Sequence, residues 1–290
     1  SLSPPELEFA GFIQHEALPD YYAQARLLML PTSGDCWGVV INEAMLAGAP
    51  VLTTPALADI DRDAKCEILF GAGANLFALD GDGSVRPGLW PVSAGTGSFS
   101  SPAVGDVDGD GVLEIAAIAA KAPDTLSSLV YLLDATGTSR GAGWPAAVDT
   151  VVTADPVLGN VDGSTPELEI VAGASNGAVY LWDAGGAAWT PIPRAPGAIE
   201  ASSALADLDG DGALEIVVTS RRNVYSDPPG GFVWETAVTA IDGDGTIMAG
   251  WPVAVQSSAA DRGPSPSAVV IGTRGEAVAG NASGLLSSWR

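Results

Sequence analysis

The chain has 290 residues, of which 47% are apolar and 16% charged, so it is long enough for two domains and too apolar to be disordered. Its net charge of −23 argues against nucleic acid and anionic membranes as partners and in favour of bound cations. No apolar run has the length of a membrane span, so no membrane insertion is expected in this segment, and two cysteines cannot form a disulfide framework.

The first 54 residues alternate between strand-like and helix-like segments. LEFAGFI, LLMLPT and PVLTT predict strands, whereas LPDYYAQA and GVVINEAMLAG predict helices. This β-α-β-α-β order is half of a doubly wound domain, so we expect a truncated α/β Rossmann-like segment over residues 1–54. His15, the only histidine, is expected in a surface loop before the first helix.

The stretch GDCWGVVINEAMLAGAPVL contains an acid, seven residues and then a glutamate. It resembles the C-terminal, nucleotide-sugar-binding half of GT-B glycosyltransferases of the family-four type (glycosyl transferases group 1). The resemblance implies that Asp35 contacts the donor sugar and Glu43 the ribose hydroxyls, while backbone N–H groups at Gly38 and Val39 meet the diphosphate at a helix N-terminus. The acceptor domain and the upstream basic segment of such enzymes are missing from residues 1–54, so we expect a vestigial site and favour a non-enzymatic chain.

From about residue 55 onward, an acidic segment recurs four times, beginning at Asp59, Asp106, Asn160 and Asp207, with spacings of 47, 54 and 47 residues. A period of this size predicts stacked supersecondary units that bury their apolar faces against one another. Each unit reads as a strand, the acidic loop, two apolar strands joined by a turn, and a short last strand. The middle strands are almost continuously apolar, which is typical of strands covered on both faces.

These repeats, with DxDGDGxxEI loops and Gly-Trp-Pro endings, resemble the FG-GAP/VCBS family of integrin-α-like repeats. The resemblance implies a mainly β fold, a β-propeller with calcium held in loops between blade strands. Family members usually have six to eight blades, whereas the repeats in this chain indicate about five. We expect the blades near residues 55–95, 101–148, 155–196, 202–256 and 265–290 of a domain covering 55–290. Either further blades follow downstream or a strand from before the first blade completes the ring; we favour further blades.

Calcium prefers six to eight oxygen ligands, which a turn supplies with carboxylates at positions 1, 3 and 5, a carbonyl at 7 and an acid at 9. The second and fourth loops match fully, with glycine at position 6 for a turn of positive φ. Their predicted ligands are Asp106, Asp108, Asp110, the Val112 carbonyl and Glu114, and Asp207, Asp209, Asp211, the Ala213 carbonyl and Glu215.

The other two loops match less well. The first loop has Asp59, Asp61, Asp63, the Lys65 carbonyl and Glu67, but Ala64 replaces the turn glycine, so we expect weaker binding. The third loop begins with Asn160 and carries an inserted residue before Glu169, so it is the poorest candidate. Asp80-Gly81-Asp82-Gly83 and Asp242-Gly243-Asp244-Gly245 lack the acid at position 9 and are expected to be hairpin turns.

Two further features of the sequence each allow two interpretations. Trp90, Trp144 and Trp251 recur at one place in the repeat, either as a sugar-stacking surface or, as we favour, as packing residues. The segment from Ser220 to Val238 reads as a longer loop, either a variable surface excursion, which we favour, or a contact loop using Arg221, Arg222, Tyr225, Phe232 and Trp234.

The two patterns meet within GAPVLTTPALADID without a linker, which indicates a fused or chimeric chain. Residues 55–290 contain no histidine and one cysteine, so we predict a calcium-stabilised, non-enzymatic module of the cell surface or of a secreted protein that binds a protein or glycan. The alternative is a glycosyltransferase using a nucleotide-sugar donor, of which only a fragment is present.

Overall fold

The computed structural model describes residues 28–30, 51–53, 55–95, 97–120, 126–163, 167–189, 193–226, 231–256, 270–271, 277–280 and 286–289. The chain divides into two compact units, Ser1–Thr54 and Pro55–Arg290. Each unit is described by itself.

The first unit contains a parallel pair of short strands. Strand β1 (Leu28–Leu30) pairs with β2 (Val51–Thr53), with Leu28 opposite Val51. Parallel pairing requires a crossover between the strands, in agreement with the predicted strand–helix–strand order. The two predicted helices, the first predicted strand, His15 and the predicted nucleotide-sugar residues Asp35, Gly38, Val39 and Glu43 lie outside the described residues.

The second unit contains five antiparallel sheets that follow one another along the chain. Sheet one has strands β3 (Ala56–Ala58), β4 (Glu67–Ala72), β5 (Asn75–Leu79) and β6 (Val92–Ser93). Sheet two has β7 (Ser98–Phe99), β8 (Ala103–Gly105), β9 (Glu114–Ala120), β10 (Ser128–Leu133) and β11 (Ala146–Val148). Sheet three has β12 (Val157–Gly159), β13 (Glu169–Gly173) and β14 (Val179–Trp182).

Sheet four has β15 (Ala204–Ala206), β16 (Glu215–Ser226), β17 (Gly231–Ile241) and β18 (Val253–Gln256), and sheet five has β19 (Val270–Ile271), β20 (Ala277–Gly280) and β21 (Leu286–Trp289). The prediction of a mainly β second unit is confirmed in coarse form, as a series of antiparallel sheets, whereas the four-part repeat stays a prediction. Sheet two has an additional strand, β7, which pairs with β9. A ring of five blades stays a prediction.

The middle strands of sheets two and three are buried on both faces, as their apolar sequences predicted. In sheet one, β4 and β5 alternate between buried and half-buried residues. In β9, Ile115, Ala117 and Ala119 belong to an apolar cluster shared with sheet one. Ala116 and Ile118, which point the other way because side chains alternate along a strand, belong to a cluster shared with sheet three. Sheet two therefore packs between sheets one and three.

Apolar clusters occupy the spaces between consecutive sheets. The first lies between sheets one and two, the second between two and three, and the third between three and four. A fourth lies on the remaining face of sheet four, around Val217, Val238 and Ala240. The sheets thus stabilise one another by apolar burial, which no single sheet provides alone.

Tryptophans in the hairpin arms join neighbouring sheets. The indole N–H of Trp90 donates to the carbonyl oxygen of Ala135 at 3.1 Å, and that of Trp144 to Ala184 at 2.8 Å. Both rings are buried. Trp251 packs partly buried against the fourth cluster. The prediction that this series serves packing is confirmed.

The described part of the segment from Ser220, which leaves out residues 227–230, is not a loop. Strands β16 and β17 stay paired without interruption from Ile216 opposite Ile241 to Ser226 opposite Gly231, so the segment is a two-stranded ribbon continuing sheet four. The prediction of a loop was wrong. Polar residues indicated a loop, but here they lie where β16 and β17 extend beyond β15 and β18 and still pair with each other. Arg221 forms an ion pair with Glu200, and Arg222 with Glu235.

Within the residues that the structure describes, regular structure is entirely β, and no helix there is long and apolar enough to cross a membrane.

Candidate metal sites in the acidic loops

Each acidic loop joins two consecutive strands of its sheet: β3 and β4, β8 and β9, β12 and β13, or β15 and β16. The position-1 residue immediately follows the first strand of the pair, and the glutamate at position 9 (position 10 in the third loop) is the first residue of the second. Antiparallel pairing sets Glu67 opposite Ala58, Glu114 opposite Gly105 and Glu215 opposite Ala206. The pairing therefore returns each glutamate to the start of its own loop, beside the position-1 acid.

Three loops bring carboxylates together. In each, oxygens of the acids at positions 1, 3 and 9 all lie within 4.8 Å of one another. The three triads are Asp59–Asp61–Glu67, Asp106–Asp108–Glu114 and Asp207–Asp209–Glu215. An oxygen-only donor set of this density is the type that hard divalent cations prefer. The sequence-predicted acids at these positions are thus brought together as candidates for holding a metal ion.

The position-5 acids are outside these triads and bond to their own loops. Asp63, Asp110 and Asp211 each accept a hydrogen bond from the backbone N–H of the position-7 residue, at 2.9, 2.7 and 2.8 Å. The position-7 residues are Lys65, Val112 and Ala213. Lys65 also places its ammonium 3.0 Å from Asp63. The position-5 acids therefore help to shape the turn.

The position-9 glutamates are buried, and in Glu114 and Glu215 only one of the two carboxylate oxygens has a hydrogen-bond partner. One carboxylate oxygen accepts the position-2 backbone N–H, from Ile60 at 3.0 Å, Val107 at 2.9 Å and Leu208 in the fourth loop. The other oxygen, Oε1, has no hydrogen-bond partner in Glu114 and Glu215, both of which are fully buried. A buried, unpartnered carboxylate oxygen is costly, and a cation between the triad oxygens would satisfy it. The residues therefore fit a bound metal ion.

Burial raises the pKa of all three position-9 glutamates. In Glu114 the neighbouring carboxylate of Asp108 acts in the same direction, and in Glu215 those of Asp209, Asp207 and Asp211 do so. A cation bound in the cluster would counteract both effects on the pKa, because a nearby positive charge favours the ionised carboxylate.

The turn geometry follows the sequence prediction at position 6. Gly111 and Gly212 adopt φ of 82° and 96°, in the left-handed region that favours glycine. Ala64 stands in the same region with φ of 67°, and Arg62 with φ of 66°. The first loop therefore folds like the others although it lacks the turn glycine.

The third loop keeps part of the arrangement. The Oδ1 atom of Asn160 accepts a hydrogen bond from Gly163 at 2.8 Å, and buried Glu169 accepts one from Val161 at 2.7 Å. Residues 164–166 are outside the described part of the chain. Among the described residues, this loop contributes no acid triad, because an amide stands at position 1.

The Asp-Gly segments between the third and fourth strands are hairpin turns, as predicted. Asp80 N–H donates to Ser84 at 2.9 Å, and Asp242 N–H donates to Thr246 at 2.8 Å. The side chains of Asp82 and Asp244 accept hydrogen bonds within their own turns.

Sequence reasoning missed two arginines in these hairpins. Arg140 reaches the second loop, where its guanidinium hydrogen-bonds to Asp108 and lies 3.3 Å from Asp110 and 3.5 Å from Glu114 Oε1. Arg86 reaches the first loop, with Asp61 at 2.8 Å and Glu67 at 3.8 Å. The hydrogen bond to Asp108 raises the pKa of Arg140, and the hydrogen bond from Arg86 lowers the pKa of Asp61. Both arginines stand six residues after an aspartate of the turn (Asp80 or Asp134), which was the signal in the sequence.

One protein-family model matches the chain. It is described as glycosyl transferases group 1, and it matches residues 2–78. The match includes Asp35, Gly38, Val39 and Glu43, and it extends through β3 and β4 into β5 of sheet one. No curated protein sequence matches the chain significantly.

Among solved structures, a computationally designed protein, Ika8, aligns with 12% identity, covering 82% of this chain and 70% of the other at a TM-score of 0.42. BamB from Moraxella catarrhalis aligns with 15% identity, covering 82% and 76%, at 0.40. The C-terminal domain of PilY1 from Pseudomonas aeruginosa aligns with 12% identity, covering 80% and 58%, at 0.43. Similarities of this size assign neither a fold nor a function to the chain.

Proposed function

We propose that residues 55–290 form a calcium-stabilised β-propeller of the FG-GAP/VCBS type, which serves as a non-enzymatic adhesion or ligand-binding module at the cell surface or in a secreted protein. The observation that carries the proposal is the fourth loop. There the buried Oε1 atom of Glu215 has no hydrogen-bond partner and belongs to an acid triad whose ligand oxygens lie within 4.8 Å of one another. Among the described residues, five consecutive antiparallel sheets support the propeller architecture, as do the apolar clusters between neighbours in the first four sheets.

Calcium is the favoured ion because it accepts flexible, oxygen-only coordination, whereas magnesium demands near-ideal octahedral geometry. At extracellular calcium concentrations, binding would add measurably to the free energy of unfolding. With a dissociation constant of about 10⁻⁴ M and about 1 mM calcium, each occupied site adds about 1.4 kcal/mol to the free energy of unfolding. One or two such sites are a sizeable part of the stability of a typical domain.

A thermal melt of the whole chain in 1 mM calcium, in 1 mM magnesium and in excess EDTA tests the metal role. We expect calcium to raise the melting temperature by several degrees, as about 1.4 kcal/mol per site implies. Asp209→Asn should abolish most of this rise. Asp244→Asn is the matched control, because Asp244 bonds only within the adjacent hairpin at Thr246, and it should keep the full calcium response. Equal melting temperatures in calcium and EDTA would contradict the proposal.

The adhesive role rests on the resemblance of the repeats and on the absence of histidine from residues 55–290. Binding of the purified chain to glycan arrays and to immobilised matrix proteins, with calcium and with EDTA, tests it. Retention that requires calcium supports a binding module. No retention on either surface, for a chain whose melt shows bound calcium, would limit the metal to a structural role.

A glycosyltransferase remains the second candidate, favoured by the family match over residues 2–78. In this alternative Asp35 and Glu43 bind the donor sugar and its ribose. Calorimetric titration with uridine diphosphate and with a uridine-diphosphate sugar tests the candidate, with Glu43→Gln as the variant that should lose binding. The absence of binding by the unaltered chain would remove this candidate.

A further inference from the structure

In sheets one to four, the hairpin that follows β5, β10, β14 or β17 places one residue at the same position. In each sheet this residue donates its backbone N–H to a carbonyl of the preceding strand, at Ala78, Leu132, Leu181 and Ala240, over 2.9, 2.9, 3.0 and 3.0 Å. The four residues at this position are Arg86, Arg140, Trp189 and Met248. The backbone is thus equivalent, and the side chain differs from sheet to sheet.

In sheet two this position supplies a cation to the acidic loop. The Nη2 atom of Arg140 bonds to Asp108 and lies 3.3 Å from Asp110 and 3.5 Å from Oε1 of Glu114. That Oε1 atom is the buried oxygen without a hydrogen-bond partner, so the guanidinium charge stands where a metal ion would approach it. A second guanidinium, that of Arg62, bonds to the carbonyl oxygen of Gly111 in the same loop.

In sheet one the arrangement repeats with Arg86. Its guanidinium lies 2.8 Å from Asp61, 3.8 Å from Glu67 and 3.0 Å from Asp80, and its Nε donates to Ala135 at 3.2 Å. The side chain is only 11% exposed, so the surrounding groups hold it in this place. Two of the three triad carboxylates of the first loop therefore already face a permanent positive charge.

The fourth loop is different. Met248 packs partly buried against the apolar cluster of sheet four, as does Leu208 of the loop. The charged groups that act on Glu215 are the carboxylates of Asp209, Asp207 and Asp211. Among the described residues, no arginine or lysine forms an ion pair with this triad. Its buried Glu215 Oε1 has neither a donor nor a facing guanidinium there.

We propose that this hairpin position decides which acidic loop takes a divalent cation: the arginines of sheets one and two occupy their loops as tethered cations, and the loop of sheet four, with Met248, binds the metal ion. This inference rests on the proposed metal role of the loops and assigns it to one of the three triads. A tethered group competes at a high effective concentration, so a free ion must displace it before it binds. Like charges also repel, which lowers the affinity for a divalent ion further while the guanidinium stays in place.

The inference predicts that exchanging the hairpin residues exchanges the sites. Arg140→Met should add one calcium site in the second loop, with a dissociation constant within about tenfold of that of the fourth loop, since the two loops have the same ligand pattern. Met248→Arg should weaken the fourth site by about tenfold or more, because a fixed charge about 4 Å away opposes the ion. Arg222→Met removes an arginine that pairs with Glu235 outside the loops, and as the matched control it should change neither site.

Isothermal titration of the full chain with calcium chloride at 150 mM sodium chloride measures these sites. Asp209→Asn and Asp108→Asn assign each binding event to its loop. In the otherwise unaltered chain we expect Asp209→Asn to remove a site and Asp108→Asn to remove none, whereas in the Arg140→Met background Asp108→Asn should remove the added site. A circular dichroism spectrum of each variant in calcium checks that it has folded.

Two other results have different meanings. If Asp108→Asn removes a site while Arg140 is present, or if Arg140→Met adds none, the arginine does not exclude the ion and the inference is wrong, although the metal role of the loops stands. If no variant binds calcium, the proposed metal role itself fails.

Discussion

The carboxylate of Asp155 accepts a hydrogen bond of 3.0 Å from the backbone N–H of Ser101, 54 residues earlier in the chain. Ser101 lies just before β8 of sheet two, and Asp155 just before β12 of sheet three. The bond therefore joins the entry segments of two neighbouring sheets, in the same way that Trp144 and Ala184 join their hairpins.

This position should make stability depend on pH. Burial raises the pKa of Asp155 above the ordinary 3.8, against the hydrogen bonds from Ser101 and Ser202 that lower it. Between the ordinary and the raised pKa the folded state keeps a proton that the unfolded state releases, so the contribution of Asp155 to stability falls as pH rises through this window. Asp155→Asn removes this dependence. In urea unfolding at pH 4 to 7, the free energy of unfolding of the variant should increase relative to that of the unaltered chain as pH rises. Parallel plots of the two free energies against pH would contradict the assignment to Asp155.

Backbone strain in the first loop provides a second prediction. Ala64 adopts φ of 67°, a conformation that costs a residue with a side chain about 1 kcal/mol relative to glycine. Ala64→Gly should therefore stabilise the chain by up to about 1 kcal/mol in EDTA. Part of this gain is offset because glycine raises the conformational entropy of the unfolded state. Gly212→Ala is the matched reverse change, since φ there is 96° and no atom lies within 4 Å of the added methyl. Gly212→Ala should destabilise the chain by a similar amount. If the urea midpoints of the two variants move in the same direction, the backbone of Ala64 is not strained.

The tryptophan bonds between sheets can be measured separately from their packing. Trp144→Phe keeps an aromatic ring but leaves the Ala184 carbonyl without its 2.8 Å donor, which should cost about 1–3 kcal/mol. Trp90→Phe removes the equivalent bond to Ala135, but the Nε of Arg86 still donates to that carbonyl at 3.2 Å, so this change should cost less. Chemical unfolding followed by circular dichroism gives both values. Losses below about 0.5 kcal/mol in both variants would mean that these bonds add little to the packing.

A close backbone approach predicts a larger effect at Gly143. A methyl group there would overlap the carbonyl oxygen of Gly185 in the next sheet, and backbone on both sides prevents relief by a rotamer change. Gly143→Ala should destabilise the chain by about 1–3 kcal/mol or more. Gly81→Ala is the control in an equivalent hairpin, where the nearest atom is the carbonyl oxygen of Cys66 at 3.9 Å. Its unfolding free energy should change by less than about 0.5 kcal/mol, and equal losses in the two variants would disprove the steric explanation.

Much of the second unit could be predicted from the sequence because its signals are local. The spacing of the acids placed the loops, since position 1 follows one strand and position 9 begins the next. The apolar runs predicted strands covered on both faces, as β9 is. The ribbon of β16 and β17 was missed because strand pairing at its polar end depends on the partner strand, whose register is not a local property.

The amino-acid sequence alone specifies which residues can form oxygen-rich turns: aspartates at alternate positions and a glutamate at position 9 set the local geometry through short-range hydrogen bonds. Only the packing of the sheets establishes which of these turns is paired with an arginine side chain. Arg140 meets Asp108 across 32 residues, and Arg86 meets Asp61 across 25. Such pairs form only when the hairpin of a sheet folds back over its loop, because an ion pair requires a distance of a few ångströms that spacing along the chain does not specify. The unpartnered oxygen of Glu215 has the same origin, since burial is a property of the packed sheets.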